Sequence, residues 1–125
     1  MNHYQCQSNL LKAMAHPARL HILQALAQQP ACVCDLVALT HRRQPYVSQQ
    51  LIVLRDAGLV VGQREGISVF YRLAHPELKT LLDTLQPLCQ QHRTRQACLI
   101  DMPGVDDATQ AAANDQLVDH QARLN

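Results

Sequence analysis

Two cysteines stand one residue apart in Cys32-Val33-Cys34-Asp35. Paired thiolates select soft ions over magnesium or calcium, and thiolates that bind metal also oxidise. The five cysteines are odd in number and lack a disulfide-scaffold spacing, so they read as reduced thiols available for metal binding or redox chemistry. A second chemistry lies a few residues on. Ser48 and Gln49 offer hydroxyl and amide groups that pair with base edges, and Ile52 can touch a thymine methyl. His41-Arg42-Arg43 precedes them and concentrates positive charge suited to phosphate. Each feature has a plainer explanation: free cysteines are commonly buried as small apolar residues, and a polar helix face is commonly just solvated.

The elements that must position these groups can be read from periodicity. Val47, Leu51 and Leu54 recur at helical spacing and form one inward stripe, leaving Ser48, Gln49 and Ile52 to point away. Pro45 suits the first helical position, and Gly58-Leu59 supplies a stop, which predicts a helix from about Pro45 to Ala57. A short helix opening with Cys32 and Cys34 precedes it, so the two make a helix-turn-helix. Residues two apart on a helix lie about 200° apart around its axis, so one ion could reach both sulfurs only by unwinding or bending that first turn. Val60–Arg64 and Ile67–Leu73 are β-rich runs around Glu65-Gly66, with Ile67, Val69, Tyr71 and Leu73 alternating as one buried face. A hairpin directly after a helix-turn-helix makes a winged helix, and Arg64 falls at the hairpin tip, within reach of phosphate or a minor groove.

The fold class expected is mainly α with a small β-hairpin, a dimeric winged helix-turn-helix. Residues 1–98 would be the DNA-binding and dimerisation domain, and residues 99–125 an acidic tail or weak helix. A length of 125 residues suits one modest core, and 3% aromatic content makes that core aliphatic. The net charge of +1 conceals an asymmetry: residues 1–100 hold ten Lys or Arg against five acids, and the remainder holds five Asp and only Arg123. No apolar run approaches the length of a membrane span and no signal-peptide pattern opens the chain, so a cytoplasmic protein without a membrane partner is expected. Residues 1–9 read as polar and loose. Leu10, Leu11 and Met14 mark a first helix, and Pro17 starts a core helix carrying Leu20, Leu23 and Leu26 that ends before Pro30; His21 within it reads as packed or exposed. A last helix from near Pro76 bears Leu78, Leu81, Leu82, Leu85 and Leu88, with Pro87 expected to kink or end it. That leucine stripe suits a dimer interface made with the first helix, as two-fold reading of DNA half-sites requires.

LLKAMAHPARLHILQAL, QPYVSQQLIVLRDAGLV and EGISVFYRL together resemble successive segments of the ArsR/SmtB family of winged-helix repressors, over roughly residues 10–90. The resemblance implies a homodimer that sits on an operator and leaves when an inducer binds. It also implies that Gln44, Tyr46, Ser48, Gln49 and Arg55, with Arg42 and Arg43 ahead of them, read DNA while Arg64 serves the wing. Cys32-Val33-Cys34-Asp35-Leu36 is similar to the cysteine box of the arsenic-, cadmium- and lead-responsive members. This implies arsenite, cadmium, lead or zinc as inducer and no organic cofactor. Val37 occupies the position of a third cysteine found in some arsenic sensors, so a third thiolate must come from elsewhere. Cys6 leads, from the partner subunit as in related cadmium and lead sensors, with Cys89 and Cys98 as alternatives. The stretch matching the family's second metal site offers His75 and Glu77 but Leu88 and Gln91, an incomplete set with His92 close by.

Two other readings follow from the same residues. A repressor of this fold could respond to oxidants or persulfides, although Gln24 stands where such relatives place a second-helix cysteine and Cys89 falls near the last-helix position. A thiol-disulfide exchange enzyme would use the C-x-C pair, but the chain lacks a βαβ pattern and a C-x-x-C motif, so no enzyme is expected.

Overall fold

The computed structural model describes residues 2–100, with side chains through Arg95. The tail expected over residues 99–125 falls almost wholly outside them. The elements are α1 (His3–Met14), α2 (Pro17–Gln28), β1 (Ala31–Cys32), α3 (Val33–Thr40), α4 (Gln44–Asp56), β2 (Val60–Glu65), β3 (Ser68–Leu73) and α5 (Glu77–Ile100). The chain is mostly helical, with a three-stranded antiparallel sheet in the order β1-β3-β2.

The first helix begins earlier than its apolar residues suggest. Asn2 caps it, its Oδ1 accepting the Gln5 N–H at 2.7 Å, and Gln5 Nε2 donates to Asn9 Oδ1 at 3.1 Å one turn on. A cap contributes about 1 kcal/mol, and an i,i+4 pair a few tenths more. Residues 3–9 are therefore helical rather than loose, and Cys6 sits exposed on that helix.

Around α2, α3 and α4 the core is aliphatic. Ile22, Leu23, Leu36, Val47, Leu51, Leu54, Leu59 and Val60 are its largest fully buried side chains. Each contributes about 1.5–3 kcal/mol of transfer free energy, which outweighs the propensity of any single surface residue. The α4 stop is a Schellman motif: Leu59 N–H donates to Leu54 O and Gly58 N–H to Arg55 O, both at 2.9 Å, with Gly58 at φ +78°. Pro45 occupies the second helical position rather than the first, because Arg43 is the N-cap.

The hairpin departs from expectation at its tip. Its strands end at Glu65 and restart at Ser68, so Gly66, at φ +64°, and Ile67 form the turn. Ile67 is 99% exposed, and Val69, Tyr71 and Leu73 are half-buried, so no fully buried stripe runs along β3. The strand instead makes its second set of ladder bonds to β1, pairing Ala31 with Tyr71 and Cys32 with Phe70. α5 runs through Pro87 without ending there; Leu78 and Leu82 are buried, while Leu88 is exposed. Among the described residues, no helix is long and apolar enough to cross a membrane.

Candidate nucleic-acid interface and thiol pair

The turn between α3 and α4 depends on one residue in an uncommon conformation. His41 ends α3 in the left-handed region, at φ 57° and ψ 31°, its N–H donating to Val37 O at 2.9 Å. That reversal sends Arg42 and Arg43 outward and starts α4 at Gln44. Arg43 caps α4 through its backbone carbonyl, which receives Val47 N–H at 3.0 Å, and makes no side-chain cap bond. With Pro45 lacking an N–H and Val47 N–H paired, Gln44 and Tyr46 carry the remaining first-turn donors of α4, at the end of the helix where its dipole favours an anion.

Of the residues expected to meet DNA, Arg42, Arg43, Gln44, Gln49, Arg55 and Arg64 are exposed, while Tyr46 and Ser48 are half-buried. Ile52, at 47% exposure, lies one turn along from Gln49 and Ser48. Arg64 sits on β2 opposite Val69, two residues before the turn.

Tyr46 is tied inward. The Arg42 guanidinium carbon lies 5.2 Å from the Tyr46 ring centroid, within cation–π range, and His16 Nε2 is 3.4 Å from its hydroxyl. His16 is the N-cap of α2, its Nδ1 accepting Ala18 N–H at 3.1 Å. Burial, then the Arg19 and Arg42 charges, hold the His16 imidazole below its usual pKa. One turn further along α4, Gln50 is buried and its Oε1 accepts from Arg19 Nη1 at 3.1 Å. These inward-facing partners lie about thirty residues away in sequence, and neither His16 nor Arg19 carries a local pattern that marks it.

The thiol pair is arranged differently from the expectation. Cys32 is not a helical residue. It ends β1 and caps α3 in extended conformation, at φ −86° and ψ 171°, so the 200° argument does not govern the pair. Cys34 lies on the second helical residue. Asp35 Oδ2 accepts the Cys32 N–H at 3.3 Å, anchoring the start of α3. Cys32 is half-buried and Cys34 exposed, so Cys34 does not serve as core packing. No group of three His, Cys, Asp or Glu that could hold an ion occurs among the described residues. Cys32 and Cys34 thus offer two thiols at the start of α3. Cys89 is exposed on α5 and His21 exposed on α2.

Residues 16–61 match the family described as bacterial regulatory protein, arsR family. The chain belongs to the arsR family. This arsR-family chain is 49% identical over 76 residues to the biofilm growth-associated repressor of Agrobacterium fabrum, covering 61% of this chain and 65% of that one. The chain spans 51% to 65% of the length of several named repressors and regulators it matches. Among solved structures it is similar to reduced HlyU from Vibrio cholerae, with TM-score 0.64 and 36% identity over 68% of this chain and 90% of that one. It also matches a homodimeric winged helix-turn-helix DNA-binding domain from Mycobacterium bovis, with TM-score 0.66 and 29% identity over 74% of this chain and 85% of that one. The fold is thus that of winged helix-turn-helix regulators, and the proteins it resembles are regulators rather than enzymes.

Proposed function

We propose that this protein is a transcriptional repressor acting in the cytoplasm, which binds operator DNA as a homodimer through residues 1–98 and is released when a thiophilic ion binds Cys32 and Cys34. The observation that carries the reading is the position of Cys32. It is at once the cap of α3, which packs on α4, and the β-partner of Phe70 in the wing. A change at one sulfur therefore reaches both DNA-facing elements by direct backbone contact.

In this reading α4 enters the major groove with Gln44, Ser48 and Gln49 toward base edges, Arg42, Arg43 and Arg55 toward phosphate, and Arg64 beneath the wing tip toward the flanking groove. Similarity to a homodimeric DNA-binding domain supports the two-fold arrangement. Two sulfurs leave a soft ion short of ligands, and Cys6 of the partner subunit supplies the third, with Cys89 as the alternative. Arsenite, cadmium, lead and zinc are the candidate inducers, since thiolate sets favour them.

Similarity to a protein solved in a reduced form gives specific support to a second reading, in which the same thiols are oxidised or persulfidated. Titrating the purified protein with each ion, and separately with persulfide and peroxide, while following binding to a duplex from its own upstream region separates the two. Release by an ion alone supports the first reading, release by oxidant alone the second, and release by neither refutes both.

A further inference from the structure

On the reading that α4 reads DNA, we propose that His16 and Arg19 are positioning residues of the DNA-reading face, holding Tyr46 and Gln50 of α4 from the first turn of α2. We further propose that this hold requires a neutral His16. The argument begins with the imidazole. Nδ1 accepts the Ala18 N–H at 3.1 Å, so the single ring proton of the neutral form must sit on Nε2. That nitrogen faces the Tyr46 hydroxyl at 3.4 Å and donates to it in a long hydrogen bond. One tautomer thus closes the end of α2 and touches α4 at the same time.

The second strut is firmer. Arg19 is fixed to the end of α1 through Nε to Ala13 O at 2.6 Å and Nη2 to Lys12 O at 3.4 Å, and reaches Gln50 Oε1 through Nη1 at 3.1 Å. The rigid guanidinium fork carries this arrangement, which the point charge of lysine cannot reproduce. Tyr46 and Gln50 are four residues apart and so share one flank of α4. Held there, α4 cannot roll about its axis, and roll is the motion that would turn Gln49 and Ile52 away from a groove.

Protonation undoes the first strut. The added hydrogen falls on Nδ1, against the Ala18 N–H, and abolishes the cap. The new charge lies beside Arg19 on α2 and Arg42 in the turn before α4, both cationic; α4 contributes the Tyr46 phenol, and Lys12 lies in the last turn of the neighbouring α1. Burial and both arginines disfavour the charged ring. Only the neutral fraction is competent, so each pH unit below the imidazole's own pKa lowers apparent affinity by up to about tenfold. Direct approach of His16 to a phosphate would have the opposite sign and tighten binding in acid.

The test uses the full chain and a labelled duplex enriched from a random pool on the immobilised protein at neutral pH. Affinity is measured against pH for the parent and for His16→Asn, which keeps a good helix cap but does not titrate. The ratio of the two curves cancels the other histidines. As pH is lowered from 7 to the acid limit of folding, parent affinity is expected to fall relative to His16→Asn once pH passes below the lowered imidazole pKa, with the loss steepening toward about tenfold per unit. Arg19→Lys is expected to weaken binding at every pH without altering the slope. A flat ratio, a ratio of opposite sign, or unimpaired binding by folded Arg19→Lys would overturn the proposal while leaving the DNA reading intact. If no duplex is enriched, the DNA reading fails and the proposal falls with it.

Discussion

Replacing Asp35 tests the start of α3, on which the proposed coupling depends. Its carboxylate lies in the first helical turn and accepts the Cys32 N–H at 3.3 Å from an exposed position. So long and exposed a bond contributes toward the lower limit, about 0.5 kcal/mol. The carboxylate's interaction with the helix dipole adds about 0.3–1 kcal/mol at low salt. Asp35→Ala should therefore cost about 1 kcal/mol, a fall of about 4 °C in Tm for a domain of this size. Asp35→Asn keeps an acceptor but loses the charge, so it should cost only the dipole part, and that loss should shrink as salt screens it. Thermal melts of the three proteins in low and high salt read both quantities. Duplex affinity should fall in Asp35→Ala more than in Asp35→Asn, because only the former frees Cys32 from its anchor. If Asp35→Ala melts with the parent and binds duplex equally, the start of α3 is not held as described.

Leu54 is fully buried at the end of α4; Leu54→Ala should cost about 3–5 kcal/mol by urea denaturation, and a cost under about 1 kcal/mol would contradict the packing. Ile67, fully exposed at the hairpin turn, should accept Ser with a change within about 0.5 kcal/mol, whereas a buried β3 stripe would require several times more. The folded His16 ring is held below its usual pKa of 6.5, so the unfolded chain binds the proton more readily. Its contribution to stability is full above that value and lost as pH falls through the lower, folded pKa. Urea midpoints of the parent should thus decline faster in acid than those of His16→Asn, and parallel curves would contradict the assignment.

Local signals were legible where physics is local. The Gly58-Leu59 stop follows from one glycine and one leucine, and the α4 stripe from three apolar residues at helical spacing. The start of α1 depends on a single Asn cap beneath a polar run, which hydrophobic periodicity cannot detect. Cys32 was misplaced because β1 is two residues long and exists only through pairing with β3, some forty residues later. The same non-locality concealed Ile67: the turn takes it out of the strand, and β3, paired on both sides, is half-buried at Ser68, Val69, Phe70 and Tyr71 alike rather than in alternation. Of the site, the exposed arginines and glutamines were visible as residue types, whereas the His16–Tyr46 and Arg19–Gln50 pairs required the fold to bring α2 against α4.

The coupling of sulfur to DNA is tested most directly by a gel shift comparing the parent with Cys32→Ser/Cys34→Ser on one duplex, in the presence and absence of arsenite, cadmium or lead. The account predicts that both proteins bind the duplex alike without an ion and that only the parent lets go when an ion is added. Equal release of the double variant would show that the signal enters elsewhere in the chain.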